Sequence, residues 1–107
     1  MIDTKILRRL SDTIAERKQA EPASSYVASL FAKGHDTILK KLAEESAETL
    51  LASKDGDKLH VVRETADLWF HCLVMLAWHG LNSDDVLAEL RRREGISGID
   101  EKASRKK

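Results

Sequence analysis

The segment from Leu68 to Trp78 most constrains the fold, because it is apolar on almost every side of the helix that it is predicted to form. A helix without a polar face must be surrounded by other elements. A chain of 107 residues has few helices with which to surround it. We therefore predict that a second copy of the chain completes a four-helix core, as a homodimer. The core or interface candidates in this segment are Trp69, Phe70, Met75 and Trp78.

The remaining sequence is also predicted to be helical, because it contains one proline, five glycines and no convincing strand pattern. Caps and apolar periodicity indicate an all-α bundle of about five helices. We expect one domain over residues 1–95, followed by a polar, mobile tail over residues 96–107. The predicted helices begin near Asp3 or Thr4, at Tyr26 after a loop containing Pro22, at an Asp36 cap, at Lys58 and at a Ser83 cap.

Charge and cysteine content exclude several classes of function. Lysine plus arginine and aspartate plus glutamate both number 18, so no global charge attracts nucleic acid or a membrane surface. Cys72 is the only cysteine, which excludes an internal disulfide and a cysteine-rich zinc site and favours a cytoplasmic location. The N-terminus lacks the pattern of a secretory signal, and no apolar run approaches the roughly 20 residues that span a bilayer.

Two predicted helices carry pairs of acids at the same spacing. Glu45 and Glu48 precede a turn at residues 55–57, and Glu64 and Asp67 follow it. Residues three apart share one side of a helix, and a short connection favours antiparallel packing, so four carboxylates could face one another. Converging carboxylates repel unless a cation neutralises them, and oxygen ligands suit Mg²⁺, Mn²⁺ or Ca²⁺. The alternative is that both pairs lie on solvated helix faces.

A carboxylate-held Mg²⁺ is best suited to hydrolysis of a phosphoanhydride, because the metal neutralises phosphate charge and activates a water molecule. Nearby lysines would bind the phosphates. The candidates are Lys33, Lys40 and Lys41, of which Lys41 is best placed, four residues before Glu45. His71 lies four residues after Asp67, so it could hydrogen-bond that residue and orient it, or it could be an ordinary core histidine.

Several segments together resemble the phosphoribosyl-ATP pyrophosphatase family. They are SYVASLFAKG from Ser25, ILKKLAEESAE from Ile38, ETADL from Glu64, and Gly80-Leu81 before Asp85-Val86-Leu87. The paired acids alone are shared by the wider superfamily of all-α nucleoside triphosphate pyrophosphohydrolases, which includes dimeric dUTPases. The SYVASLFAKG segment and the two lysines before the acids point more narrowly to the histidine-pathway family.

The resemblance implies a stand-alone, homodimeric enzyme that hydrolyses the α–β phosphoanhydride of phosphoribosyl-ATP. The products would be phosphoribosyl-AMP and pyrophosphate, in the second step of histidine biosynthesis. It also implies that Mg²⁺, for which Mn²⁺ is a possible substitute, is bound by Glu45, Glu48, Glu64 and Asp67. Glu44 would be a further ligand or the base that orients water, and we assign the catalytic role to Glu44 and Glu45.

Two other functions remain open on the sequence. The same metal site would serve a housecleaning nucleotide pyrophosphohydrolase of the dUTPase type. A non-catalytic, dimeric helical module could instead present its acids to a protein partner. The range of nucleotides that the protein hydrolyses would distinguish a housecleaning enzyme from the histidine-pathway enzyme. Dependence of activity on a metal ion would distinguish either enzyme from a non-catalytic module.

Overall fold

A computed structural model describes residues 2–105, and over this range the chain forms six α-helices, one 3₁₀ turn and no strand. The all-α prediction is therefore confirmed, with one helix more than the five expected. The helices are α1 (Ile6–Arg17), α2 (Tyr26–Lys33), α3 (His35–Asp55), α4 (Lys58–Trp78), α5 (Ser83–Arg93) and α6 (Gly98–Ser104), and the 3₁₀ turn is Pro22–Ser24.

Helices α3 and α4 form an antiparallel hairpin that is the main interface of the molecule. Gly56 ends α3 with a left-handed backbone, φ 82° and ψ 5°, which a residue with a β-carbon rarely adopts. Asp57 then begins α4 by accepting a hydrogen bond from the backbone N–H of His60. The turn predicted at residues 55–57 therefore reverses the chain and aligns the two longest helices.

Four helices contribute to one core within a single chain. Ile14 of α1, Ile38 of α3 and Val74 of α4 have the largest fully buried side chains, and Leu30 of α2 packs with them. Burial of each such side chain contributes on the order of 1.5–3 kcal/mol. This core lies between the first half of α3 and the second half of α4, and α1 and α2 cover it.

The predicted caps of two helices are displaced by one or two residues. Asp36 was expected to cap α3, but the cap is Gly34, whose φ of 104° lets α3 start directly after α2. Asn82, rather than Ser83, caps α5. Its side-chain oxygen accepts a hydrogen bond from the backbone N–H of Asp84, and the carboxylate of Asp85 accepts one from the backbone N–H of Asn82. Asp36 instead places its charge in the first turn of α3, where a helix dipole favours an acid.

Helix α6 lies within the segment predicted as a polar, mobile tail, where no helix was expected. Ser97 caps it by accepting from the backbone N–H of Asp100. Glu101 is only 5% exposed and binds Arg92 of α5 at 2.6 Å and Arg105 at 3.1 Å. The mobility of residues 96–107 stays a prediction.

The apolar segment Leu68–Trp78 is only partly covered by its own chain. Leu73, Val74 and Ala77 are buried, but Trp69 is 57% exposed and Trp78 is 37% exposed.

Within residues 2–105, none of the helices combines the length and the apolar character needed to cross a bilayer.

Candidate metal centre

The α3–α4 hairpin brings three glutamates together. Glu45 and Glu48 extend from α3 and Glu64 from α4, and one carboxylate oxygen of each lies within 4.8 Å of the other two. Thr49 links the helices at this level, because its hydroxyl lies 2.8 Å from the carbonyl oxygen of Glu45 and 3.1 Å from that of Glu64. This contact across the hairpin holds the glutamates of both helices in register.

Two of these carboxylates are removed from water. Glu45 is 7% exposed, and the side chain of Glu64 is 15% exposed, whereas Glu48 faces solvent. The Oε2 atoms of Glu45 and Glu64 are buried and have no hydrogen-bond partner. Leaving a buried polar atom unpaired costs about 1–3 kcal/mol, so two such atoms in one cluster call for a partner outside the chain.

The electrostatics of the cluster point to a positively charged partner. Burial raises the pKa of Glu45, and the nearby charge of Glu48 adds to the rise. Burial also raises the pKa of Glu64, and the neighbouring carboxylate of Glu48 adds to the rise. A cation placed among these oxygens would relieve the repulsion and pair the unsatisfied atoms. The ligand atoms are all oxygens, which hard divalent cations prefer.

Asp67 and Glu44 lie beside the three glutamates. The charge of Asp67 raises the pKa of both Glu45 and Glu64, so Asp67 is their neighbour on α4 although its carboxylate is outside the 4.8 Å group. Glu44 is exposed, and its Oε1 lies 3.4 Å from the Nζ of Lys41. The structure therefore gathers three of the four predicted metal ligands and places the fourth at the edge of the cluster.

Of the three predicted phosphate-binding lysines, Lys41 is nearest to the carboxylates. Its charge lowers the pKa of Glu45, and its own pKa is raised, first by Tyr26 and then by Glu44. Lys40 is exposed and lies about 140° around α3 from Glu45, at ~100° per residue. Lys33 is the last residue of α2, where it is exposed.

His71 connects the carboxylate cluster to α2. It is 6% exposed, and its Nδ1 lies 2.8 Å from the backbone carbonyl oxygen of Asp67 rather than from the carboxylate. Its Nε2 lies 2.9 Å from the hydroxyl of Tyr26. The hydrogen bond from His71 to Asp67 that the spacing suggested is thus made, but to the main chain.

Tyr26, which the spacing of the acids does not reveal, is hydrogen-bonded to His71 at this site. Its aromatic ring is half exposed, and its pKa is raised by burial, while the charges of Glu45 and Asp67 add to the rise and that of Lys41 opposes it. Tyr26 belongs to a different helix from every predicted ligand. Only the packing of α2 against the hairpin reveals its position, so no spacing rule could have identified it.

The molecule therefore belongs to the class of all-α proteins in which an antiparallel helical hairpin brings a group of partly buried carboxylates together. The comparison with known families makes the assignment specific. Residues 7–94 match the family model described as phosphoribosyl-ATP pyrophosphohydrolase, and the chain belongs to this family. The family predicted from the sequence motifs is therefore confirmed.

Individual relatives are similar over almost the whole chain. A phosphoribosyl-ATP pyrophosphatase of Nitrosospira multiformis is 71% identical over 106 residues, which cover 99% of this chain and 88% of the relative. A protein of the same name from Chromobacterium violaceum is 67% identical over 94% of both chains. A third, from Azoarcus sp., is 64% identical over 99% of both chains.

Proposed function

We propose that this chain hydrolyses phosphoribosyl-ATP to phosphoribosyl-AMP and pyrophosphate, in the second step of histidine biosynthesis. The observation that carries this proposal is the 71% identity, over 99% of the chain, to a protein named phosphoribosyl-ATP pyrophosphatase. Independent chemical support comes from the buried carboxylate oxygens of Glu45 and Glu64 that have no hydrogen-bond partner. These oxygens suit a divalent cation, which would assist the hydrolysis of a phosphoanhydride. A biosynthetic role of this kind fits a cytoplasmic enzyme.

Mg²⁺ is the proposed cofactor, with Mn²⁺ as a possible substitute. Glu45, Glu48 and Glu64 would hold it, with Asp67 completing the set from the edge of the cluster. When bound, the metal neutralises charge on the phosphate oxygens and lowers the pKa of a coordinated water. The exposure of Glu48 leaves one side of the cluster open, so the phosphates have access to the metal from solvent.

The protein groups around the metal have separate proposed tasks. Glu44, exposed beside the cluster, would act with Glu45 to orient the attacking water and accept its proton. Lys41 would place its ammonium against the phosphate oxygens, because it lies on the same side of α3 as Glu45. Lys33 and Lys40 would extend the positive surface to more distant phosphates.

We also propose that the active protein is a homodimer. Three apolar grooves, of about 270, 370 and 290 Å³, meet at Trp69 on α4. Leu7 of α1 and Val86, Leu87 and Leu90 of α5 extend this apolar face beside α4. Val62, seven residues before Trp69, extends it along α4 itself. A second copy packed on this face would cover Trp69, which its own chain leaves 57% exposed.

The test of the activity is pyrophosphate release from phosphoribosyl-ATP, ATP and dUTP, each with Mg²⁺ and with chelator. We expect Mg²⁺-dependent release from phosphoribosyl-ATP and little from the other two. Glu48→Gln should lower kcat by at least about 100-fold, because it removes a metal ligand while leaving the helix intact. Glu16→Gln, an exposed acid on α1, is the matched control and should keep full activity.

Three results would contradict the proposal. Release from dUTP would keep the metal site but make the chain a housecleaning enzyme. Retention of Mg²⁺-dependent activity by Glu48→Gln would refute the assigned site. No release from any nucleotide would favour the non-catalytic helical module.

A further inference from the structure

Thr49 joins the two helices of the candidate metal centre by a hydrogen bond. Its hydroxyl lies 2.8 Å from the carbonyl oxygen of Glu45, one turn earlier on α3, and 3.1 Å from that of Glu64 on α4. Among the residues that the structure describes, no other hydrogen bond joins α3 to α4. The connection therefore falls at a single level of the hairpin, beside two of the three clustered glutamates.

The chemistry of this contact fixes which group donates. Both carbonyl oxygens can only accept, so the threonine hydroxyl shares its single hydrogen between them in a three-centre arrangement. Each carbonyl oxygen has two lone pairs, so it can accept this hydrogen and keep the bond to the amide four residues further along its helix. The contact thus links the helices without opening either of them.

The short reach of the threonine side chain limits the spacing of the helices. Its hydroxyl lies only two bonds from the main chain, so a bond to Glu64 requires the α4 backbone to pass close to α3 at this level. The carboxylates of Glu45, Glu48 and Glu64 extend from the same level and converge to within 4.8 Å. The backbone spacing at Thr49 therefore sets the separation between carboxylates that come from opposite helices.

Charge opposes this spacing when no cation is bound. The three carboxylates repel one another, and those of Glu45 and Glu64 are largely withdrawn from water, which weakens the screening of their charges. Repulsion between the acids of α3 and Glu64 of α4 acts to separate the helices. The hydroxyl bridge opposes that separation, so the ligands are already gathered before a cation binds, which favours binding.

We propose that Thr49 is a positioning residue that holds α3 and α4 at the separation at which the clustered glutamates bind a divalent cation. This inference rests on the proposed metal site and adds a residue that is not itself a ligand. Thr49 touches neither the cation nor the substrate in this scheme. Its hydroxyl acts only through the backbones that carry Glu45 and Glu64.

The affinity for a divalent cation is the quantity that this role controls. Thr49→Val keeps the shape of the side chain but replaces the donor with a methyl group, 3.1 Å from the carbonyl oxygen of Glu64. A carbon–oxygen contact needs roughly 3.3–3.6 Å, so the helices should move apart in this variant. The dissociation constant for Mn²⁺ should rise at least about tenfold, as measured from the electron paramagnetic resonance of free Mn²⁺ with the full chain and no substrate.

Activity provides a second measurement of the same effect. In Thr49→Val the Mg²⁺ concentration for half-maximal hydrolysis of phosphoribosyl-ATP should rise about tenfold, while kcat at saturating Mg²⁺ should change less than about threefold. The ligands themselves remain, so a saturating cation can still gather them. Thr49→Ser keeps the hydroxyl and should bind Mn²⁺ within about twofold of the wild type.

Three control variants separate this role from a general loss of stability. Ser46→Ala removes a hydroxyl bond that stays within α3, and Thr13→Val makes the same change as Thr49→Val on α1. Ile14→Val removes one carbon from the core instead and should lower the melting temperature by about 4 °C. All three should bind Mn²⁺ within about twofold of the wild type, and a tenfold loss in Ile14→Val would overturn the proposal.

The outcomes also distinguish this role from the metal site on which it rests. If Glu48→Gln loses Mn²⁺ but Thr49→Val binds it as the wild type does, the metal site stands and the role of Thr49 fails. An equal loss in Thr49→Val and Thr49→Ser would show that the hydroxyl is not the cause and would overturn the proposal. A wild-type protein that binds no Mn²⁺ would overturn the proposed metal site and this inference with it.

Discussion

Glu45 and Glu64 are single residues that lower the stability of the folded protein when no cation is bound. Each keeps one carboxylate oxygen away from both water and hydrogen-bond donors, and burial raises the pKa of each. For a carboxyl group whose pKa is raised by folding, the folded state prefers the protonated form. Without a cation, these residues therefore lower the stability of the protein as the pH rises from their unfolded pKa towards their higher folded pKa, and above the folded pKa the loss is complete.

The first prediction concerns Glu45→Gln in the presence of chelator. This substitution removes a buried, unpaired charge and keeps the shape of the side chain, so the melting temperature at pH 7.5 should rise. We expect a rise of about 4 °C, the shift that about 1 kcal/mol produces in a domain of this size. Thermal unfolding monitored by circular dichroism measures it, and the same variant should lose stabilisation by Mg²⁺.

The pH dependence provides the control for this prediction. Below the unfolded pKa, wild-type Glu45 is itself protonated, so the advantage of the glutamine should shrink as the pH falls towards 4. An advantage that persists or grows in acid would mean that the effect does not come from the charge. Lower stability of Glu45→Gln at pH 7.5 would contradict the account of an unpaired carboxylate.

At the scale of elements, the sequence predicts long helices well and their ends less well. The turn at residues 55–57 and the long helical segments on either side of it locate α3 and α4. The first residues of α3 and α5 depend on the local backbone, such as φ 104° at Gly34, and an acceptable capping side chain lies one or two residues away in each case. For the site, spacing identifies the acids, but Tyr26 reaches them only through tertiary packing.

Helix α6 was also not predicted, because its position depends on contacts with another helix. Its residues are mainly polar, and its position depends on one buried carboxylate, Glu101, whose partners Arg92 and Arg93 belong to α5. Arg92 holds the pKa of Glu101 below its usual value, and the other arginines add to the effect. A sequence window cannot show that an arginine nine residues earlier will face this carboxylate.

The second prediction is that Glu101→Gln releases α6 from α5. The variant replaces the charge-assisted bonds from Arg92, at 2.7 and 2.6 Å, with weaker neutral ones. Amide hydrogen exchange across residues 98–104 should become at least about tenfold faster. Asp100→Asn, an exposed neighbour on the same helix, should leave the exchange unchanged, and equal exchange in both variants would refute the role of Glu101.

At the scale of the whole molecule, one chain builds a core and still leaves an apolar face uncovered. Trp69 lines all three apolar grooves, and it lies on α4 away from the carboxylates. The chain can therefore fold around Ile14, Ile38 and Val74 and use the remaining face for a second copy. The sequence indicated this excess of apolar surface, because Leu68–Trp78 has no polar side, but it could not indicate which side stays open.

The third prediction is that Trp69→Asp converts a dimer into a monomer. A charge at the centre of the apolar face cannot be buried without a partner, so association should weaken by at least about 100-fold. Light scattering coupled to size-exclusion chromatography measures the mass of each species. Ile99→Asp changes a residue that is 83% exposed on α6 and should remain dimeric. A monomeric wild-type protein would exclude the proposed dimer.

The hairpin has a consequence for how the protein acquires its site. Every proposed metal ligand lies between residues 45 and 67, in two adjacent helices joined by Gly56 and Asp57. Contacts between segments so close along the chain form quickly, because little loop entropy is lost in closing them. The proposed cation site is therefore built from a local segment of the chain and needs no ligand from α1 or α5. A divalent ion bound to these carboxylates would favour the hairpin register in which the acids of both helices meet.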